Sequence, residues 1–183
     1  HGSGEGNIIM VADMNEAWYM EILSGHQYVA VKMPEDKIAV IPNNYMLNTV
    51  DVTSPDVIAS PNLVSLAADN GFLVEEDGMI NIRKTYSAGY KDAGTYRLWG
   101  GQKFLSPSRT VTPNDENYDL FFEPDHKITL SEIMEVQRYR YEDTEYNVNE
   151  EKNKNIRSIG VASQAECHVL QIRPDMPVGA AGI

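Results

Sequence analysis

Asn7-Ile-Ile-Met-Val-Ala-Asp-Met-Asn-Glu-Ala-Trp-Tyr-Met-Glu-Ile-Leu-Ser-Gly-His-Gln-Tyr-Val-Ala-Val-Lys-Met-Pro-Glu-Asp-Lys-Ile-Ala-Val-Ile41 is the stretch that decides the fold class. Asn7 to Asp13, Glu16 to Leu23, His26 to Met33 and Lys37 to Ile41 are short runs rich in Val, Ile, Met, Trp and Tyr. Met14-Asn15, Ser24-Gly25 and Pro34-Glu35-Asp36 separate them, and such breaker-rich links mark strand ends. Links this short favour antiparallel neighbours, which predicts a four-strand meander. Alternate residues of the second run are apolar on both sides, with Trp18, Met20 and Ile22 on one face and Ala17, Tyr19 and Leu23 on the other. A sheet apolar on both faces must be covered on both, by helices on one side and a second sheet on the other.

Beyond Ile41 the texture becomes helical. Ser60-Pro61 reads as an N-cap followed by Pro at the first helical position, then the stripe Leu63, Val64, Leu66 and Ala67, with Gly71 as the stop. Tyr96 to Leu105 reads as a helix, with Gly100-Gly101 arguing against it. Thr129-Leu-Ser-Glu132 fits a capping box, and Leu130, Ile133, Met134, Gln137 and Tyr141 continue at helical spacing. Asp143 to Lys154 is polar and reads as an exposed loop, whereas Gln164 to Arg173 returns to strand texture before Pro174. A meander, then helices, then a returning strand indicates an α+β domain.

Composition narrows the function classes. The 183 residues suffice for one domain core or for a large part of a bigger one. The chain opens His1-Gly2-Ser3-Gly4 without an initiator Met or a signal pattern, so the expectation is a chain processed, trimmed or cut from a longer parent. Residues 1–7 read as a flexible or appended lead-in and 8–183 as a partial domain. A formal net charge of −12 argues against nucleic acid, since phosphate contacts need clustered Lys and Arg. No apolar run reaches bilayer-spanning length. One cysteine and four scattered histidines suit neither a disulfide framework nor a Cys- or His-rich metal site, and no cofactor is expected.

The candidate chemistry is incomplete. Cys167 adjoins His168, but successive strand residues point to opposite faces, so the pair cannot act as nucleophile and base, and a packed, inert thiol is expected. Gly2-Ser3-Gly4-Glu5-Gly6 matches neither a nucleophile elbow nor a phosphate loop. Asp69-Asn70-Gly71 and Glu75-Glu76-Asp77-Gly78 lack the alternation of a calcium loop. Pro42-Asn43-Asn44, at the end of the fourth predicted strand, offers amide donors to an oxyanion but also suits a plain turn, the simpler reading from these residues alone. Arg97, within Tyr96-Arg-Leu-Trp-Gly-Gly-Gln102, suits a carboxylate partner, a thiol neighbour or a structural ion pair alike.

Seven stretches together resemble the dipeptidase A-type cysteine peptidases of the N-terminal-nucleophile (Ntn) hydrolase superfamily. They are Val11-Ala-Asp-Met-Asn-Glu-Ala-Trp-Tyr-Met-Glu21, Ser24-Gly-His-Gln-Tyr-Val-Ala30, Ile41-Pro-Asn-Asn44, Ser60-Pro-Asn-Leu63, Tyr96-Arg-Leu-Trp-Gly-Gly-Gln102, Tyr139-Arg-Tyr-Glu-Asp-Thr144 and Gln164-Ala-Glu-Cys-His-Val-Leu-Gln-Ile-Arg173. Each motif is weak alone; their shared order along nearly the whole chain carries the resemblance. It implies a four-layer α-β-β-α sandwich, of which this chain would be the middle-to-C-terminal part. It also implies a nucleophilic Cys at a mature N-terminus upstream of His1. Asn43 is then the oxyanion donor, with Asn44 the alternative, and Arg97 orients the nucleophile or a substrate carboxylate. Asn44 and His168 are weaker candidates for substrate contact.

The implied activity is hydrolysis of a dipeptide by acyl transfer through a cysteine, with this chain inactive alone and no metal involved. A non-catalytic binding module, or an amide hydrolase or acyltransferase of the same superfamily, are the alternatives. The expected partner is a dipeptide or small amide. Self-association through an exposed sheet edge or apolar face is expected too, and a cytoplasmic location is favoured over a secreted or cell-surface one.

Overall fold

A computed structural model describes residues 7–87, 92–113, 115, 118–164 and 166–175. In chain order its elements are β1 (Asn7–Ala12), β2 (Ala17–Leu23), β3 (Gln27–Lys32), β4 (Ile38–Ala39), β5 (Thr49–Val50) and β6 (Val57–Ala59). There follow α1 (Leu63–Asp69), β7 (Glu75–Glu76), β8 (Met79–Asn81), α2 (Ile82–Tyr86), α3 (Asp92–Leu105), β9 (Phe121–Phe122) and α4 (Leu130–Val136). Helices with antiparallel sheets are an α+β composition, as expected. The elements fall into two compact units, one made of His1–Glu35 and Tyr45–Gly89, the other of Asp36–Asn44 and Tyr90–Ile183.

The first unit holds a sheet in the order β1-β2-β3-β6. Three strands of the predicted meander form, in register from Asn7↔Ile22 to Ala12↔Ala17 and from Trp18↔Lys32 to Leu23↔Gln27. The hairpin between β2 and β3 turns at Gly25, whose φ of 72° lies in the left-handed region where a Cβ is strained. The fourth expected strand does not join this sheet. Val57–Ala59 takes the free edge of β3, and Lys32 N–H donates to the Asp56 carbonyl at 2.9 Å. Ile38–Ala39 pairs instead with Phe121–Phe122, in the second unit. Pro34 has no N–H to extend the β3 ladder, and the free edge of β3 is filled by β6.

At the other edge β1 has no partner strand on its outer side among the described residues, and Ile9, Met10 and Val11 are exposed. This is the edge on which an expectation of self-association rests. A smaller sheet, β5-β8-β7, completes the unit beside α1 and α2. Helix α1 starts two residues later than its sequence signals suggest. Asn62 is the N-cap residue, and Ser60 Oγ instead accepts from Tyr28 N–H at 2.9 Å.

The second unit is built on α3. Its glycines are not helix defects: a Cβ on Gly101 would meet Val40 at 2.6 Å, one on Gly94 would overlap the Asn44 amide, and one on Gly100 would overlap the Tyr141 ring. The helix therefore packs backbone-close on the Asp36–Asn44 segment through Gly94 and Gly101, seven residues apart and so on one face. Tyr96 and Trp99 face an aromatic cluster with Tyr141 and Tyr146, at ring separations of 4.9 to 5.4 Å. Helix α4 carries the predicted capping box, Thr129 with Glu132. It ends at Val136, so Tyr141 lies beyond it, at a φ of 64°. The polar stretch Asp143 to Lys154 is less exposed than its composition suggests, because Val148 and Asn153 are buried. Gln164 to Arg173 forms no strand in its described residues, since no neighbouring strand completes a ladder with it. Among the described residues no helix is long and apolar enough to cross a membrane.

Candidate functional site

Asn43 and Arg97 are brought together. Arg97 sits on α3 between Gly94 and Gly101, on the face that the missing Cβ atoms press against Asp36–Asn44. Its Nη1 donates to Asn43 Oδ1 at 2.7 Å. A guanidinium has only donors, so this bond settles which end of the Asn43 amide is which. Oδ1 is taken by Arg97, which leaves Nδ2 as the donor end of the amide. Asn43 is exposed, whereas Asn44 is buried against Gly94.

Burial pushes the Arg97 pKa down, and the neighbouring Arg157 cation adds to that fall, while Tyr141 opposes it. Tyr141 is fully buried and donates its hydroxyl proton to the Arg157 carbonyl at 3.1 Å. A cation, a second cation and an amide donor thus share one region of the second unit, an arrangement suited to an anion or a developing negative charge.

Cys167 and His168 stand elsewhere, in a cleft of about 330 Å³ between α4 and the Cys167–Gln171 segment. Cys167 is exposed, contrary to the packed thiol that strand texture implied. Without a ladder this segment has no inner face on which to bury it. Its Sγ donates to Gln137 Oε1 at 2.5 Å, and Gln137 Nε2 donates to the His168 carbonyl at 3.3 Å. These bonds tie the segment to the end of α4, and none joins Cys167 to His168. Among the described residues no group of three or more His, Cys, Asp or Glu side chains could hold a metal ion.

Glu21 is the residue sequence reading missed. It lies on the β2 face shared with Tyr19 and Leu23 and has no exposed surface. Its Oε1 accepts from Tyr19 Oη at 2.6 Å, from Leu47 N–H at 3.1 Å and from Met46 N–H. Oε2 is buried and has no hydrogen-bond partner among the described residues. Burial raises the Glu21 pKa from 4.5 to about 7, against the opposing pull of these donors and of Arg83. The signal was available: one carboxylate at an alternate position of an apolar strand face.

Comparison with known proteins fits the motif pattern. Residues 1–183 match Peptidase family C69. The chain is 36% identical to a probable dipeptidase B of Streptococcus pyogenes serotype M1, over 100% of this chain and 40% of that protein. It is 33% identical to a probable dipeptidase of Salmonella dublin, over 96% of this chain and 42% of that protein. A probable dipeptidase of Latilactobacillus sakei is 28% identical, over 100% of this chain and 40% of that protein. The chain therefore spans about two-fifths of the length of the curated relatives it matches. With the family matched from the first residue to the last, the chain belongs to Peptidase family C69, in keeping with the dipeptidase-type pattern of its seven motifs.

Proposed function

We propose that this chain supplies the oxyanion donor and the cationic group of a cysteine dipeptidase, and that the nucleophilic Cys lies upstream of His1. The observation that carries the reading is the Arg97–Asn43 hydrogen bond, which occupies Oδ1 of an exposed amide and leaves Nδ2 as its donor. In the reaction a thiolate attacks the peptide carbonyl and an S–C bond forms. The oxyanion is held by donors that include Asn43 Nδ2–H. The C–N bond then breaks, the amine leaves with a proton, and water hydrolyses the thioester to a carboxylate and a free thiol. Arg97 stabilises the thiolate and keeps the Asn43 amide in this orientation. The dipeptidase names of the relatives and the family match support this substrate class, and the four-layer Ntn sandwich is the fold in which we place it.

The test uses the complete natural polypeptide and a panel of dipeptides and acyl amides. Asn43→Ala should lower kcat about 100- to 1000-fold with little change in KM, as loss of one oxyanion donor does. The isolated chain should hydrolyse nothing. Unchanged kcat in Asn43→Ala sinks the assignment, and turnover by the isolated chain that survives loss of Cys167 sinks the upstream nucleophile. Preference for acyl amides over dipeptides would favour the amide hydrolase alternative instead.

A further inference from the structure

We propose that Glu21 is the latch of a proton-gated clasp within the first unit: in its neutral form it holds residues 46–48 closed on β2, and its ionisation releases them. The inference stands apart from the reading of Asn43 and Arg97, because every residue it uses lies in the unit that holds the β1-β2-β3-β6 sheet.

Strand alternation puts Glu21 on the β2 face it shares with Tyr19 and Leu23, all three buried. Its cross-strand partners are Ile8 of β1 and Val29 of β3, neither of which carries a charge. Oε1 gathers the Tyr19 hydroxyl and the N–H groups of Met46 and Leu47, two residues that are themselves buried. On its other side the same segment is tied to α2. Arg83 N–H donates to the Leu47 carbonyl at 3.0 Å, and Ile82 N–H donates to the Asn48 carbonyl at 2.9 Å. Next along the chain β5 pairs with β8, Thr49 opposite Asn81 and Val50 opposite Ile80. One side of the segment is therefore held by a series of backbone bonds. Toward β2, among the described residues, it is held by the Glu21 carboxyl and by the Tyr45 hydroxyl, which donates to the Ile22 carbonyl at 2.8 Å.

The weak point is the carboxyl. Its second oxygen, Oε2, is buried and accepts from none of the described residues, so a full negative charge there is solvated on one side alone. The titratable groups that face Glu21 are Tyr19 on its own strand, Arg83 on α2 and Tyr45 on the following segment. Tyr19, Arg83 and the two backbone N–H groups favour the anion, whereas burial outweighs them and favours the acid. Once ionised, the closed clasp carries a poorly compensated buried charge. Lifting residues 46–48 admits water to the carboxylate and removes that cost, while it exposes Met46 and Leu47. The closed form binds the proton more tightly than the open one. The clasp is therefore firmest below the ordinary value of 4.5, loosens as pH climbs to about 7, and changes no further beyond.

The experiment is hydrogen exchange resolved to single amides in the complete natural polypeptide, with exchange times scaled to the intrinsic rate at each pH. Protection of the Met46 and Leu47 amides should fall about 10- to 100-fold between pH 5 and pH 8 and then level off. Amides of the β2–β3 ladder should keep theirs. Glu21→Gln, which holds the shape without the charge, should flatten the profile at Met46 and Leu47. Constant protection in the wild type overturns the clasp, as does an equal fall in the β2–β3 ladder, which would be loosening of the whole unit. A fall that persists in Glu21→Gln overturns it too. Side-chain carbon NMR of the wild type needs no substitution and guards against a variant that fails to fold. Loss of the Glu21 proton must coincide with the fall in protection, and ionisation in the ordinary carboxylate range sinks the proposal.

Discussion

Glu21 in the first unit and Arg97 in the second are both charged groups set among apolar neighbours, and burial pushes each toward its neutral form. They differ in what surrounds the charge. Glu21 is sealed in a sheet face, with three donors on one oxygen and, among the described residues, none on the other. Arg97 is only half-buried, on a helix face thinned by glycine, with an exposed amide on its outer side. The first environment anchors the Met46–Leu47 backbone; the second pairs a half-buried cation with an exposed amide. A buried charge serves structure when its partners belong to the backbone, and serves chemistry when one side remains open to a ligand.

The comparison breaks most clearly at Glu21. Its folded pKa is raised, so it contributes stability that is fully present below the unfolded value of 4.5 and lost as pH climbs through about 7. A rise of that size corresponds to about 3 kcal/mol. Glu21→Gln keeps the shape and an acceptor oxygen without the charge. Urea denaturation at pH 5 and pH 9 should therefore show a loss with rising pH in the wild type that is much smaller in the variant. Equal pH dependence in the two proteins would mean that Glu21 is not titrating there.

Gly94 sharpens the other side. A side chain at this position must displace the Asn44 amide, so Gly94→Val should cost about 2 kcal/mol, within the usual range for overpacking. It should also lower turnover of the complete polypeptide by shifting α3 and Arg97 away from Asn43. A variant that is destabilised yet fully active would separate helix docking from the site. The smallest effect is expected at Arg97 itself. Arg97→Gln should change the midpoint of thermal unfolding by no more than about 1 kcal/mol equivalent while abolishing most activity. A loss of stability as large as that at Glu21 would make Arg97 a structural ion after all.

Much of this was legible in the residues. Trp18 to Leu23 and Gln27 to Lys32 announce a hairpin, and Thr129 with Glu132 announces a helix start, because alternation and capping are local. Asn43 and Arg97 were singled out by residue type and motif, but nothing local says that residues fifty-four apart share a hydrogen bond. Lys37 to Ile41 was misplaced because strand texture names an element without naming its partner. The extended Gln164 to Arg173 segment failed for the same reason, and with it went the burial of Cys167.

By itself, then, the sequence determined the element types, the α+β class, the membership of Peptidase family C69 and the residue kinds available for chemistry. Only the tertiary structure decided which edge of β3 was filled by which strand, which of Asn43 and Asn44 faces outward, and that Glu21 is sealed inside. Local signals depend on neighbours a few residues away along the chain. Burial, pairing and pKa depend on neighbours in space, and those are chosen by the packing of the whole unit.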